Sequence, residues 1–201
     1  MKAEARGGRG ARDADARERI LAAAENLFAE RGFAGTSMQT IADAASVNKA
    51  MLYYYFKNKR DLYRSVIRDG LDEMGRLMDE VAGQTGSALE KVSEIARRSY
   101  LAIWERPGVL HMIHRELYEP GERSGVRVTE RARQHIARVE SIIREGIERG
   151  ELRAVDPAMA VRSLFGMLHV FIKDSFLNGE AYSPDEVIRH TVDLYCRGIA
   201  K

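Results

Sequence analysis

Residues 36–60 read TSMQTIADAASVNKAMLYYYFKNKR. Their spacing predicts two short helices, about 37–44 and about 49–55, joined by a turn at 45–48. Ile41, Ala44 and Ala45 are the apolar positions of the first helix, and Val47, Leu52 and Tyr55 face the same way around the second. Two helices that meet at a steep angle across so short a turn need a small side chain where their axes approach, and Ala42 supplies it opposite Val47 and Leu52. Asn48 is well suited to accept from the free N–H groups that open the second helix.

The outer face of that second helix has an unusual composition. Lys49, Tyr53, Tyr54 and Lys57 are long, cationic or amphipathic, and Tyr55 and Lys59 follow closely. Phenols and ammonium groups crowded on a short helix suit contacts with phosphates and with base edges in a major groove. Core aromatics beside a solvated lysine face would account for any one of these residues, but not for the whole run.

Upstream, Ile20, Ala24, Leu27 and Phe28 repeat at the spacing of one buried helical stripe that begins near Asp13. Gly32 can end this helix in a left-handed conformation, and Phe33 returns to the core. Residues 1–12, MKAEARGGRGAR, read as a flexible basic arm, either inert or touching DNA. Downstream, the S/T-x-x-E/Q capping pattern occurs at Thr36 with Gln39, Ser87 with Glu90 and Ser183 with Glu186. Pro184 sits at a first helical position, and Asp156-Pro157 repeats the start signal. With loops at 83–86 and 120–125, these signals divide the chain into about nine helices with no strand pattern and no repeat. An all-α fold is expected, with a helix-turn-helix DNA-binding head over 13–60 and a second helical domain over 61–201.

Bulk properties agree with that division. The 201 residues are 45% hydrophobic and 31% charged, with only 4 prolines, as expected of a soluble helical protein. Residues 1–60 hold 11 Lys and Arg against 7 Asp and Glu, so the excess positive charge lies in the N-terminal third. The lone Cys196 cannot form an internal disulfide and reads as a small core residue. No stretch approaches the roughly 18 apolar residues of a membrane span. The Gly/Arg-rich start is not a secretory signal, and a cytoplasmic protein with no membrane partner is expected.

The run T-x-x-x-x-I-A-x-x-A-x-V-x-x-x-x-L-Y-x-Y-F-x-x-K resembles the helix-turn-helix signature of the TetR family. Thr36, Ile41, Ala42, Ala45, Val47, Leu52, Tyr53, Tyr55, Phe56 and Lys59 carry it. Ser46 stands where the family usually has glycine, and positive φ strain is expected there. Asn48 replaces the common serine or threonine cap, and Ala50 a frequent glycine. The resemblance implies that Lys49, Met51 and Tyr54 occupy variable recognition positions, with Lys49 and Tyr54 reading bases. Gln39 could pair with adenine in competition with its capping role. Thr36, Ser37, Tyr53, Tyr55 and Lys59 would contact phosphates, and Asn58 would cap the fourth helix with its N–H groups towards the DNA backbone.

The fourth helix, from Asn58 towards Val81, would link the head to the effector domain. The helix at about 157–178 is apolar nearly all round, and with the last helix, about 184–200, it resembles the family's dimer interface; the central helix of a monomeric bundle is the alternative. Tyr100, Trp104, His111, Met112, Phe165 and His169 are the candidates to line an effector pocket. Arg97, Arg98 and Arg115 could meet an anionic effector or simply form a solvated face. His111 and His114 share a helix face but Glu116 points elsewhere, so no metal and no cofactor is expected. No G-x-S-x-G, P-loop, H-E-x-x-H or paired-cysteine motif is present to supply a catalytic site. The resemblance therefore implies a homodimer on a double-stranded palindromic operator, released by a small-molecule effector. A helical carrier or enzyme without operator binding is the other reading.

Overall fold

The computed structural model describes residues 4–118, 128–178 and 182–201. Among them the chain forms nine helices: α1 (Glu4–Gly35), α2 (Met38–Ala44), α3 (Lys49–Tyr55), α4 (Lys59–Ala82), α5 (Ala88–Glu105), α6 (Pro107–Tyr118), α7 (Val128–Glu148), α8 (Pro157–Asn178) and α9 (Pro184–Ile199). The extended backbone among these residues is an isolated antiparallel bridge between Leu152 and Ala200. Two compact units result, one of Met1–Gly70 with Pro107–Val128, the other of Leu71–Arg106 with Thr129–Lys201.

In the first unit, α1 buries Ala16, Ile20, Leu21, Ala24, Leu27 and Phe28 along the stripe expected from its periodicity. Gly32 breaks it at φ 69° and ψ 175°, a region an L side chain rarely enters. Beyond the break, Phe33 stacks on Phe28 at 6.0 Å, and Tyr63 of α4 meets both rings edge-on at 5.0 and 5.3 Å. α1 starts at Glu4, so its backbone runs back through most of the segment read as an arm; a helix once nucleated adds residues at low cost. Whether residues 1–12 touch DNA lies outside what the described side chains address.

The second unit packs α5 and α8 on α9. Val92, Ile95, Ala96 and Tyr100 of α5, Val161, Leu164, Leu168 and Ile172 of α8, and Val187, Ile188, Tyr195 and Ile199 of α9 form its core. Local capping chemistry sets the helix starts. Ser87 Oγ accepts from the Glu90 N–H at 3.2 Å while the Ser87 N–H donates to Glu90 Oε2 at 2.8 Å. Ser183 and Glu186 repeat the box, and Asp156 Oδ1 accepts from the Met159 N–H at 2.8 Å. The Ser87 N–H and hydroxyl hold the Glu90 carboxyl below its ordinary range, and the Ser183 hydroxyl and N–H do the same for Glu186, because these donors stabilise the charged form.

The third expected box does not form. Ser37, not Thr36, caps α2, accepting from the Thr40 N–H at 3.0 Å. The Thr36 hydroxyl turns inward and donates to the carbonyls of Leu27 and Gly32 at 3.0 and 2.9 Å, satisfying acceptors that the break in α1 exposes.

Candidate nucleic-acid interface

α2 and α3 are each 7 residues long and would be unstable alone. α2 is held by Met38, Ile41 and Ala42, and α3 by Leu52, all buried. The turn between them closes through the Val47 N–H donating to the Ala42 carbonyl at 3.0 Å and Arg19 Nη1 donating to Ala45 O at 3.3 Å. Ser46 takes φ 53°, the left-handed conformation expected at this turn. For a non-glycine residue that conformation costs roughly 1–2 kcal/mol, partly offset by the unfolded-state entropy that a glycine would add. Ser46→Gly is therefore expected to raise stability by about 0.5–1 kcal/mol, read as a higher thermal midpoint. A lower midpoint would show that the turn is not strained.

Asn48 Oδ1 accepts from the Met51 N–H at 2.6 Å, which fixes the first turn of α3. Lys49 is exposed, as are Met51 at 36%, Tyr53 at 47% and Tyr54 at 77%. Tyr54 meets Tyr55 edge-on at 5.0 Å, and Tyr55 is half-buried. Phe56, under the Arg17 guanidinium at 5.9 Å, buries the exit of α3. Asn58 then caps α4, accepting from the Asp61 N–H at 2.9 Å, while the Lys57 N–H donates to Asp61 Oδ2 at 3.1 Å.

The structure thus brings Ser37, Gln39, Asn48, Lys49, Met51, Tyr53 and Tyr54 to the exposed side of α2 and α3, with Tyr55 at their edge. Gln39 does not cap. Its Nε2 donates to Asp43 Oδ1 at 2.8 Å, leaving the amide on the outer face. Thr36 and Lys59 do not join this group. Thr36 is 1% exposed, so its hydroxyl cannot meet a phosphate. Lys59 Nζ donates to the carbonyls of Phe33 and Thr36 at 2.7 and 2.8 Å and lies 4.5 Å from the centre of the Phe33 ring. It ties α4 to the end of α1 rather than reaching outward, because those carbonyls have no helical donor. The sequence reading missed Thr40, whose hydroxyl lies 2.7 Å from Ser37 Oγ; its place three residues after the cap was the available signal.

The candidate effector residues divide between the two units. In the second unit Tyr100 is buried and stacks on Trp104 at 6.4 Å, while Phe165 is half-buried and His169 exposed. In the first unit Met112 is buried and His111 exposed. Among the described residues of the second unit lie a cleft of about 620 Å³ between α5 and α9 and another of about 310 Å³ between α4 and α7, and none of the six residues lines either. Cys196 is half-buried on the α5–α9 groove, 3.1 Å from Ser93 Oγ, rather than in the core. Arg97 and Arg98 are committed to carboxylates. Both bind Glu94, at 2.8 and 2.6 Å, and Arg98 also binds Glu80, so the arginines hold the Glu94 carboxyl at about 2. Among the described residues no group of His, Cys, Asp or Glu is placed to hold a metal; the His114 side chain lies outside them.

Two family models match the chain. That of bacterial regulatory proteins of the tetR family covers residues 20–66, and that of the tetracyclin repressor-like C-terminal domain covers residues 85–199. A fatty acid metabolism regulator protein of Bacillus subtilis (strain 168) is 23% identical over 90% of this chain and 93% of its own length. The TetR family regulator PfmR of Thermus thermophilus superposes with a TM-score of 0.74 and 26% identity, over 89% of this chain and 97% of that one. FadR of Bacillus subtilis, solved with stearoyl-CoA, gives a TM-score of 0.76 at 22% identity over 90% and 98%, a likeness of fold. These relatives are regulators rather than enzymes, and no described helix is long and apolar enough to cross a membrane. With an exposed recognition face on α3, a match to the head and a match to more than half of the chain beyond it, this is a DNA-binding transcriptional regulator and belongs to the TetR family.

Proposed function

We propose that the chain is a homodimeric repressor of a palindromic operator, released by a small-molecule effector of the acyl-CoA class. The outward face of α3 carries the operator half of this reading. Lys49, Met51, Tyr53 and Tyr54 are exposed while Leu52 anchors the helix, so recognition side chains are free to enter a groove. Residues 13–60 would read DNA, and residues 61–201 would bind the effector and dimerise. This reading implies a cytoplasmic protein.

Dimerisation through about 157–178 and 184–200 is supported by apolar exposure. Met159 is 66% exposed, Val170 47% and Leu194 57%. Gly166 lies on the Met159–Val170 face of α8 with open space where a Cβ would be, although a mid-helix glycine costs roughly 1 kcal/mol. A partner helix approaching closely would give that glycine a purpose.

For the effector, Tyr100 and Trp104 have the strongest support. The buried Tyr100 hydroxyl and its neighbour Ser99 Oγ have no hydrogen-bond partner. Such a group costs about 1–3 kcal/mol until an acceptor reaches it. Burial pushes the Tyr100 phenol above its ordinary pKa, so it remains a donor at neutral pH. A thioester or amide carbonyl would satisfy it, and the stearoyl-CoA bound by the Bacillus subtilis neighbour has both. Met112, Phe165, His111 and His169 remain candidate contacts.

The test is selection of bound sequences from a random DNA pool at near-physiological salt, followed by titration of the complex with stearoyl-CoA. Half-sites about one helical turn apart, and release by stearoyl-CoA but not by coenzyme A alone, are expected. A single unrepeated site would overturn the dimer, and a complex indifferent to acyl-CoA of any chain length would overturn the effector class.

A further inference from the structure

The cleft between α4 and α7 in the second unit is built like a ladder. Arg131 pairs with Asp72 at one end, and Arg138 pairs with Asp79 at 2.6 Å at the other. The two pairs are spaced two turns apart on both helices, so α4 and α7 run side by side in the same direction here. Gly75, Arg76, Gln134 and His135 lie between the pairs and line a space of about 310 Å³. Gly75 is what admits the imidazole: a Cβ there would stand 3.2 Å from His135 Nε2, so any side chain would press on the ring.

We propose that this cleft is a binding site for a phosphate-type oxyanion, held by Arg76, Gln134 and His135 between the two ion pairs. The lining carries three guanidinium groups against two carboxylates, a surplus of positive charge before His135 is counted. Arg131 and Arg138 are oriented by their aspartates yet keep spare N–H donors, since a guanidinium has five. Arg76, exposed on the lip, has no carboxylate partner among the described residues. The same charges act on the imidazole. Burial lowers its pKa, Arg138 and Arg131 lower it further, and Asp79 opposes them. An anion seated beside the ring would reverse that charge balance and draw a proton onto His135. The charged groups facing the ring are Asp72, Arg76 and Asp79 from α4 and Arg131 and Arg138 from α7.

The sign of the pH dependence follows. The anion-free imidazole titrates below its ordinary range, and the anion-bound imidazole titrates higher. Affinity is therefore greatest at low pH and falls as pH rises through the bound-state value. Sulfate is the probe, because it does not itself titrate between pH 5.5 and 8. The readout is the ring-carbon resonance of His135 in the full-length protein, assigned with His135→Gln, at constant ionic strength. Sulfate is expected to raise the His135 pKa and to bind about three- to tenfold more tightly at pH 5.5 than at pH 8. Arg76→Gln should weaken binding about five- to tenfold. Arg98→Gln, which removes the same charge outside the cleft, should leave it unchanged.

A His135 titration indifferent to sulfate, or equal losses in the two arginine variants, would overturn the proposal. Two competitors then identify the source of the anion. Displacement of sulfate by coenzyme A would assign the site to the phosphates of an acyl-CoA effector. Displacement by inorganic phosphate alone would assign it to a smaller phosphate-bearing metabolite; both outcomes uphold the site. The measurement uses neither DNA nor an acyl chain, so its failure is separate from a failure of the repressor reading.

Discussion

Lys59→Ala lowers the stability of the DNA-binding head by about 2–3 kcal/mol, the expected cost of stranding two carbonyls that a half-buried cation had satisfied. The ammonium donates to Phe33 O and Thr36 O and lies over the Phe33 ring. Charged hydrogen bonds contribute about 1.5–3 kcal/mol each and an exposed cation–π contact about 0.5–1, reduced here because water reaches a half-buried site. Thr36→Val should act in the same direction, since its hydroxyl serves Leu27 O and Gly32 O. Hydrogen exchange of the α1–α3 amides, with DNA binding across a salt series, separates this role from a phosphate contact. Faster exchange with an unchanged salt slope is expected. A shallower slope with native protection would return Lys59 to the DNA surface.

Tyr54→Ala has the opposite profile. A side chain 77% exposed supports little of the fold, so stability should stay within about 0.5 kcal/mol of wild type. Its loss from a base-reading position should cost about 1–3 kcal/mol on the preferred operator, roughly five- to 150-fold, and far less on random DNA. Lys49→Ala should behave similarly, whereas Tyr53→Ala should weaken all sequences alike. Repeating the random-pool selection with Tyr54→Ala checks this: the consensus should relax at particular half-site positions. An unchanged consensus with uniformly weaker binding would make Tyr54 a backbone contact.

What was legible in the sequence was what neighbouring residues decide. Asn48 bonds the amide of Met51, Ser46 adopts the handedness its turn demands, and Ser87 with Glu90 closes a cap, all within three or four positions. The errors at Thr36 and Lys59 have a different origin. Thr36 and Ser37 are adjacent hydroxyls, and either could cap α2 by pattern. The choice was made by carbonyls freed at the Gly32 break, which periodicity does not reveal. Lys59 finds its acceptors 26 and 23 positions earlier in the chain. The Gly75–His135 approach is more distant still, joining helices with no shared motif. The placement of the effector candidates was illegible for a related reason. Spacing along one helix identifies a buried face, but whether several helices turn such faces towards one space is a property of packing, and the six candidates divide between two units.

The anchoring of α3 by Leu52 bears on how such a protein diverges. Surface substitutions away from caps and packed contacts usually change stability by less than about 0.5 kcal/mol. Lys49, Met51, Tyr53 and Tyr54 can therefore be exchanged with little penalty to folding, while Asn48, Leu52 and Phe56 hold the helix in place. After gene duplication, a copy could acquire a new target site through changes confined to one helical turn. Its old and new regulons would then separate without the scaffold having to be rebuilt.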